Sequence, residues 1–142
     1  MIKHIRHPGI VTDDLEPLLH FYHDLLGLRV VARADESGSF IDAILGLQGV
    51  VVTTVKLKTL DGNILELLQY KSHPRSAITR DINDIGISHL AFTVDDVDND
   101  YERLKGEGIR FYSCPQTNPE GTAKVVFCED PGGNILELVQ IL

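Results

Sequence analysis

The hexapeptide Gly-Asn-Ile-Leu-Glu-Leu occurs twice, at residues 62–67 and again at residues 133–138. Both copies follow an acidic turn, Asp61-Gly62 in the first and Asp130-Pro131-Gly132-Gly133 in the second. Both run on as strands, expected over 64–70 and 135–142. Each places a carboxylate, Glu66 or Glu137, in the middle of an otherwise apolar strand. An identity of this length within 142 residues marks a duplicated module.

A second pair of segments repeats with the same spacing. His7 is followed by Asp13-Asp14-Leu15 and a helical stretch, and His89 at the same offset by Asp95-Asp96-Val97 and another. Each module therefore begins with a His-bearing strand and ends with a Glu-bearing one. The function is expected where those four residues meet.

The first strand is predicted over 2–11, with Ile5, His7, Gly9 and Val11 on one face. Its counterpart places Ile87, His89, Ala91 and Thr93 together. Gly9 or Ala91 beside the histidine leaves that face open, while the opposite face is bulky, as packing on a helix requires. Asp14 is a good N-cap, Pro17 lies in the first turn and Gly27 is a C-terminal stop. Leu15, Leu18, Leu19, Tyr22, Leu25 and Leu26 form the apolar stripe between them. In the second module Asp96 caps a thinner stripe of Val97, Tyr101 and Leu104, and Gly106 or Gly108 ends it. Second strands are expected over 29–34 and 110–114, third strands over 50–57 and 122–129. A glycine-containing turn joins each third strand to its Glu strand, which reads as a hairpin. The first module alone inserts 35–49, with a short helix over 40–45; the second has the turn-rich 115–121 in its place. The modules are thus 1–70 and 87–142, joined by a polar linker, 71–86.

Composition bounds the partners. The chain is 43% hydrophobic and 24% charged, which fits one globular domain or two half-domains. A net charge of -8 argues against a nucleic-acid groove or an anionic membrane surface, though not against a small anionic substrate. No apolar run is long enough to span a bilayer, and the N-terminus has no signal-peptide pattern. Cys114 and Cys128 have no metal-binding spacing and fit free thiols in a reducing cytoplasm, although a disulfide stays open at this point.

A lone Glu on the wet face of an antiparallel strand needs no explanation. Two in identical contexts, each paired with a His-bearing strand, favour a metal site. Two imidazoles and two carboxylates suit a borderline divalent ion and leave positions for substrate oxygens. Other histidines fit less well. His20 and His23 are spaced i, i+3 on a helix and read as surface residues; His4 faces away from His7 on a strand; His73 lies in the linker. Phe40, Ile44 and Leu47 of the insertion form either an apolar wall over the site or an ordinary core or dimer contact.

The whole chain resembles the vicinal oxygen chelate (glyoxalase, bleomycin resistance, dioxygenase) superfamily. The resemblance is carried by His7-Pro8-Gly9, Phe21-Tyr22 with Gly27-Leu28, Asn63-Ile64-Leu65-Glu66-Leu67, His89-Leu90-Ala91-Phe92 and Asp130-Pro131-Gly132-Gly133-Asn134-Ile135-Leu136-Glu137. It implies an α+β fold of two paired βαβββ modules, their mixed sheet forming a cup with the helices outside. It implies His7, Glu66, His89 and Glu137 as ligands to one divalent metal, Ni, Zn, Co, Mn or Fe. The presence of the second glutamate leans toward the lyase and isomerase branch, as in glyoxalase I and methylmalonyl-CoA epimerase. There the reaction is proton abstraction next to a carbonyl through a metal-stabilised enediolate, with Glu137 in preference to Glu66 as base. The implied substrate is a small molecule such as a thiol conjugate or CoA thioester. Lys56, Arg33, Arg75, Arg80 and Lys124 are candidates for holding it, against a plain reading as surface charges. Extradiol dioxygenases and fosfomycin-resistance enzymes, which need three of the ligands, are the alternative enzymes. A non-catalytic drug binder of the bleomycin-resistance kind is the alternative without chemistry. The resemblance also implies a homodimer, and the free thiols imply a cytoplasmic location.

Overall fold

The computed structural model of the chain describes residues 1–76 and 78–142. It divides into two compact units, Met1–Ala77 and Ile78–Leu142. The first contains β1 (Gly9–Thr12), α1 (Leu15–Leu19, continued by a π-helical turn over His20–Leu25), β2 (Arg29–Ser37), α2 (Ser39–Leu45), β3 (Val51–Lys58) and β4 (Ile64–Tyr70). The second contains β5 (Leu90–Thr93), α3 (Val97–Gly106), β6 (Gln116–Thr117), β7 (Ala123–Glu129) and β8 (Ile135–Ile141). Each unit has one four-stranded sheet, ordered β1-β4-β3-β2 and β5-β8-β7-β6. In both, the first strand of the module lies parallel to the last, and the remaining pairs are antiparallel. The α+β class and the duplicated βαβββ module are as the repeat implies.

The repeated Gly-Asn is explained by the turn before each Glu strand. Gly62 and Gly133 adopt φ of 97° and 80°, a region that a side chain disfavours. The Asn63 Nδ2 donates to Asp61 at 2.7 Å, and the Asn134 Nδ2 donates to Asp130 at 2.9 Å. The two acids are nevertheless not equivalent. The N–H of Gly62 donates to the carbonyl of Thr59, whereas that of Gly133 donates to the carbonyl of Asp130. Asp130 therefore occupies the place of Thr59, and the same turn is held by a carboxylate from two different positions. Asp130 is buried and also accepts from the backbone N–H of Gly132 and Asn134, both at 2.9 Å.

Alternation along β4 and β8 then sorts the side chains. Leu65 and Leu67 are buried, as are Leu136 and Leu138, and the glutamates between them face the other way. The buried face of β4 meets α1, whose Leu15, Leu18, Phe21 and Tyr22 are all buried. Val97 and Leu104 of α3 are buried in the same manner where α3 meets β7 and β8. Asp14 and Asp96 are the N-caps, accepting from the N–H of Glu16 and Asn99. A π-helical turn spans His20–Leu25, and Phe21 and Tyr22 within it are both buried. The stripe read from the sequence omits Phe21, although it stands i+3 from Leu18 and i−4 from Leu25. Gly27, at φ 77°, ends the helix as expected.

Three strand boundaries differ from the sequence reading. The first strand is not 2–11 but Gly9–Thr12. Gly9 is in register with Glu66, so residues further upstream soon run past the start of β4 at Ile64 and have no neighbour in their own sheet. Ile2 and Ile5 are accordingly exposed. β2 extends beyond 34 to Ser37, and its pairing with β3 is broken by a bulge between Val30 and Ala32. The strand expected over 110–114 reduces to one bridge, Phe111 with Cys128, and pairing resumes at β6, inside the stretch read as turn. Pro115, which has no N–H to donate, separates the two.

The insertion forms α2 as expected, but its inward residue is Ile41, which packs with Val50, Val52, Leu68 and Tyr70. Phe40, Ile44 and Leu47 are exposed rather than part of the core of their unit as described. Asp42 ties α2 to β3 by accepting from the N–H of Gly49 and Val50, at 2.9 and 2.8 Å. Those backbone bonds, first Val50 and then Gly49, hold its carboxyl below the usual range. Among the described residues, no helix is long and apolar enough to cross a membrane.

Asp130→Ala removes a buried acceptor and leaves three donors, the N–H of Gly132 and the N–H and Nδ2 of Asn134, without it. It is expected to destabilise the protein by about 1–3 kcal/mol in urea unfolding. Thr59→Ala, at the equivalent, partly buried turn position where Asp61 supplies the carboxylate, should cost clearly less; equal losses would contradict the turn assignment.

Candidate functional site

Parallel closure of each module brings its histidine to its glutamate. His7 lies just ahead of β1, and its Nε2 is 3.1 Å from Oε2 of Glu66. His89 lies just ahead of β5, and its Nε2 is 3.3 Å from Oε2 of Glu137. Gly9 and Ala91 stand opposite the two glutamates in register. The space at Gly9 is tight, since a Cβ there would come 3.2 Å from Cδ1 of Leu68. A side chain at that point would have to be met by a small shift of the Leu68 methyl.

The pairs are partly exposed, with side chains 23% and 15% accessible for His7 and Glu66 and 33% and 23% for His89 and Glu137. They are thus reachable from solvent. Two donors at about 2.0–2.2 Å from one ion stand roughly 2.8–3.6 Å apart at octahedral or tetrahedral angles. The observed separations, 3.1 and 3.3 Å, fall inside that interval. A hydrogen bond has the same length, so the arrangement's recurrence in both modules, rather than the distance, is what fits a metal-ligand role. Among the described residues, no group of three or more His, Cys, Asp or Glu is gathered at one point; the donors come as two pairs.

The surroundings of the pairs differ. Lys56 stands directly across the hairpin from Glu66, with Nζ 3.6 Å from Oε1. Phe127 holds the same register position opposite Glu137. Its ring meets the His89 imidazole edge-on, with centroids 5.1 Å apart. The Nδ1 of His89 is also 2.6 Å from Oγ of Ser88, the kind of outer contact that orients an imidazole ligand. Ser88 and Phe127 carry no obvious signal in the sequence. Lys56 and Phe127 do share one: each lies ten residues ahead of its glutamate, across hairpin loops of equal length.

The remaining candidates lie elsewhere. Arg33 is 4.0 Å from Glu16, and Lys124 pairs with Asp98. Arg75 and Arg80 are exposed. His20 pairs with Asp24 at 2.8 Å on the surface of the helix, and the Nδ1 of His23 is 2.7 Å from the carbonyl oxygen of Leu28. His4 is exposed. His73 has a left-handed backbone, φ 55°, and its Nδ1 is 2.9 Å from Oγ of Ser72. Both cysteines are free thiols. Burial, with the charges of Asp130 and Glu129 adding to it, pushes the Cys128 thiol up to about 12.

Two βαβββ modules, each closed by a parallel strand pair that joins a His to a Glu, define the class of protein by its duplicated fold. The chain belongs to the Glyoxalase/Bleomycin resistance protein/Dioxygenase superfamily, whose model matches residues 2–138. It is 28% identical over 135 residues to a probable lactoylglutathione lyase of Synechocystis sp., covering 94% of this chain and 92% of that one. It is also 28% identical over 135 residues to a lactoylglutathione lyase of Neisseria meningitidis serogroup A, covering 94% and 88%. Among solved structures it is similar to a glyoxalase family protein from Bacillus cereus, with a TM-score of 0.91 and 23% identity, covering 100% of this chain and 96% of that one. That last likeness concerns the fold.

Because the Cys128 thiol stays protonated until far above neutral pH, alkylation at pH 8 should modify Cys114 alone. The second equivalent of reagent should react only after denaturation. Two fast equivalents in the native protein would contradict the burial of Cys128.

Proposed function

We propose that the protein is a metal-dependent lyase or isomerase of the glyoxalase type, which moves a proton on the carbon next to a carbonyl. The observation that supports this most is that the same pairing, a His Nε2 beside a Glu Oε2, recurs in both modules. The names of the lactoylglutathione lyase relatives support the same reading. His7, Glu66, His89 and Glu137 are the proposed ligands, contributed as two pairs from one chain or exchanged between two. A bound divalent ion supplies Lewis-acid stabilisation of negative charge on substrate oxygens.

The chain's own residues do the rest. His7 and His89 hold their imidazole nitrogens toward the carboxylates, and Ser88 and Phe127 keep His89 from turning. Glu137 is the proposed base, taking the proton from carbon and returning it to the neighbouring carbon or to the opposite face. A thiol conjugate or CoA thioester is the proposed substrate, and a homodimer the proposed assembly, checked by its mass in solution.

The test is elemental analysis after chelator treatment and reloading with Ni, Zn, Co, Mn or Fe in turn. One ion per chain is expected, with tenfold or greater loss of affinity in Glu137→Ala and His89→Ala. The loaded protein is then offered hemithioacetals of 2-oxoaldehydes and 2-substituted acyl thioesters in D2O. Deuterium at the carbon next to the carbonyl is expected, and it should fall at least 100-fold in Glu137→Gln. No uptake of any metal by the intact protein would overturn the proposal.

A further inference from the structure

The two glutamates stand in identical hexapeptides, yet their neighbours across the hairpin are chemically opposite. In the register of β3 with β4, Lys56 faces Glu66; in that of β7 with β8, Phe127 faces Glu137. Cross-strand partners project from the same side of a sheet, so each acts on the face that carries the His–Glu pair. Lys56 takes Oε1 of Glu66 at 3.6 Å while His7 takes Oε2 at 3.1 Å. Glu66 is thus held by both of its oxygens. Among the described residues, the carboxylate of Glu137 has only His89 within ion-pair distance, because Phe127 offers it no donor. Phe127 packs instead on the His89 ring. The residue opposite the glutamate steadies the carboxylate in the first module and the imidazole in the second.

Resting on the metal-site reading above, we infer that Lys56 is a positioning residue. It fixes Glu66 with a single oxygen, Oε2, available for coordination, and so makes the duplicated glutamates unequal. Glu66 is the fixed donor. Glu137, more exposed at 23% against 15% and without such a tether, is the carboxylate free to move to the substrate proton. A lysine beside a cation site would by charge alone weaken metal binding. Its proposed effect has the opposite sign, because it holds a ligand in place, and that sign makes the inference testable.

Cobalt(II) is the probe, added to the full-length metal-free protein, with affinity read by chelator competition and geometry by the visible absorption spectrum. Lys56→Met and Lys56→Gln are expected to bind cobalt about 10–100-fold more weakly, with an altered spectrum, as other losses of outer contacts do. Lys56→Arg should restore both. The loss should vanish in a Glu66→Gln background and persist in a Glu137→Gln background, which locates the effect on Glu66. Lys56 is 40% exposed, so the variants should keep the parent melting temperature, measured alongside. Equal or tighter cobalt binding by both variants would overturn the inference while leaving the metal site intact. Failure of the parent protein to bind cobalt, nickel or zinc would overturn the metal reading itself.

Discussion

The parallel pairing of the first and last strands in each module is the constraint on which the rest depends. Parallel neighbours cannot be joined by a tight turn, so the intervening helix and strands serve as the crossover. In return, the start of the module is laid beside its end. That places His7 against a glutamate 59 residues away, with the same geometry repeated in the second module. Gly9 and Ala91 are the small residues in register with the two glutamates, and the alternation of β4 and β8 turns the glutamates away from the buried leucines. Shifting either pairing by one residue would exchange those roles, burying a carboxylate and exposing the core.

Much of this was legible because the repeat is literal. Gly-Asn-Ile-Leu-Glu-Leu contains a turn residue with positive φ, an amide that closes the turn and an alternating strand, and each has a visible physical job. The caps Asp14 and Asp96 and the stop at Gly27 were equally plain, because local hydrogen bonding specifies them. The first strands were overestimated because pattern alone does not show where a partner strand begins. The second strand of the latter module was misplaced for a related reason. Phe111 keeps a single bridge, and Pro115 divides the pairing that an apolar run suggested was continuous.

The site was legible as residues but not as an arrangement of neighbours. His7, Glu66, His89 and Glu137 stand out from their repetition, and the structure sets them in two close pairs. The difference between Lys56 and Phe127 lies outside the repeated words. It becomes visible only when the hairpin register is applied to both copies. Sequence identity between the copies had hidden a divergence in what surrounds them. The π-helical turn over His20–Leu25 is likewise a departure that no regular period reveals.

The edges of the two sheets are where unwanted strand pairing would begin. A long strand with a free edge offers its backbone to any passing chain. β2 is such a strand, nine residues long at the rim of its sheet and exposed throughout. It carries Arg29, Arg33, Asp35 and Glu36, and the bulge between Val30 and Ala32 spoils the straight ladder a newcomer would need. The equivalent rim of the other sheet solves the problem by brevity, since β6 has only two residues. The duplication that gave both modules one architecture thus left each to protect its open border in its own way.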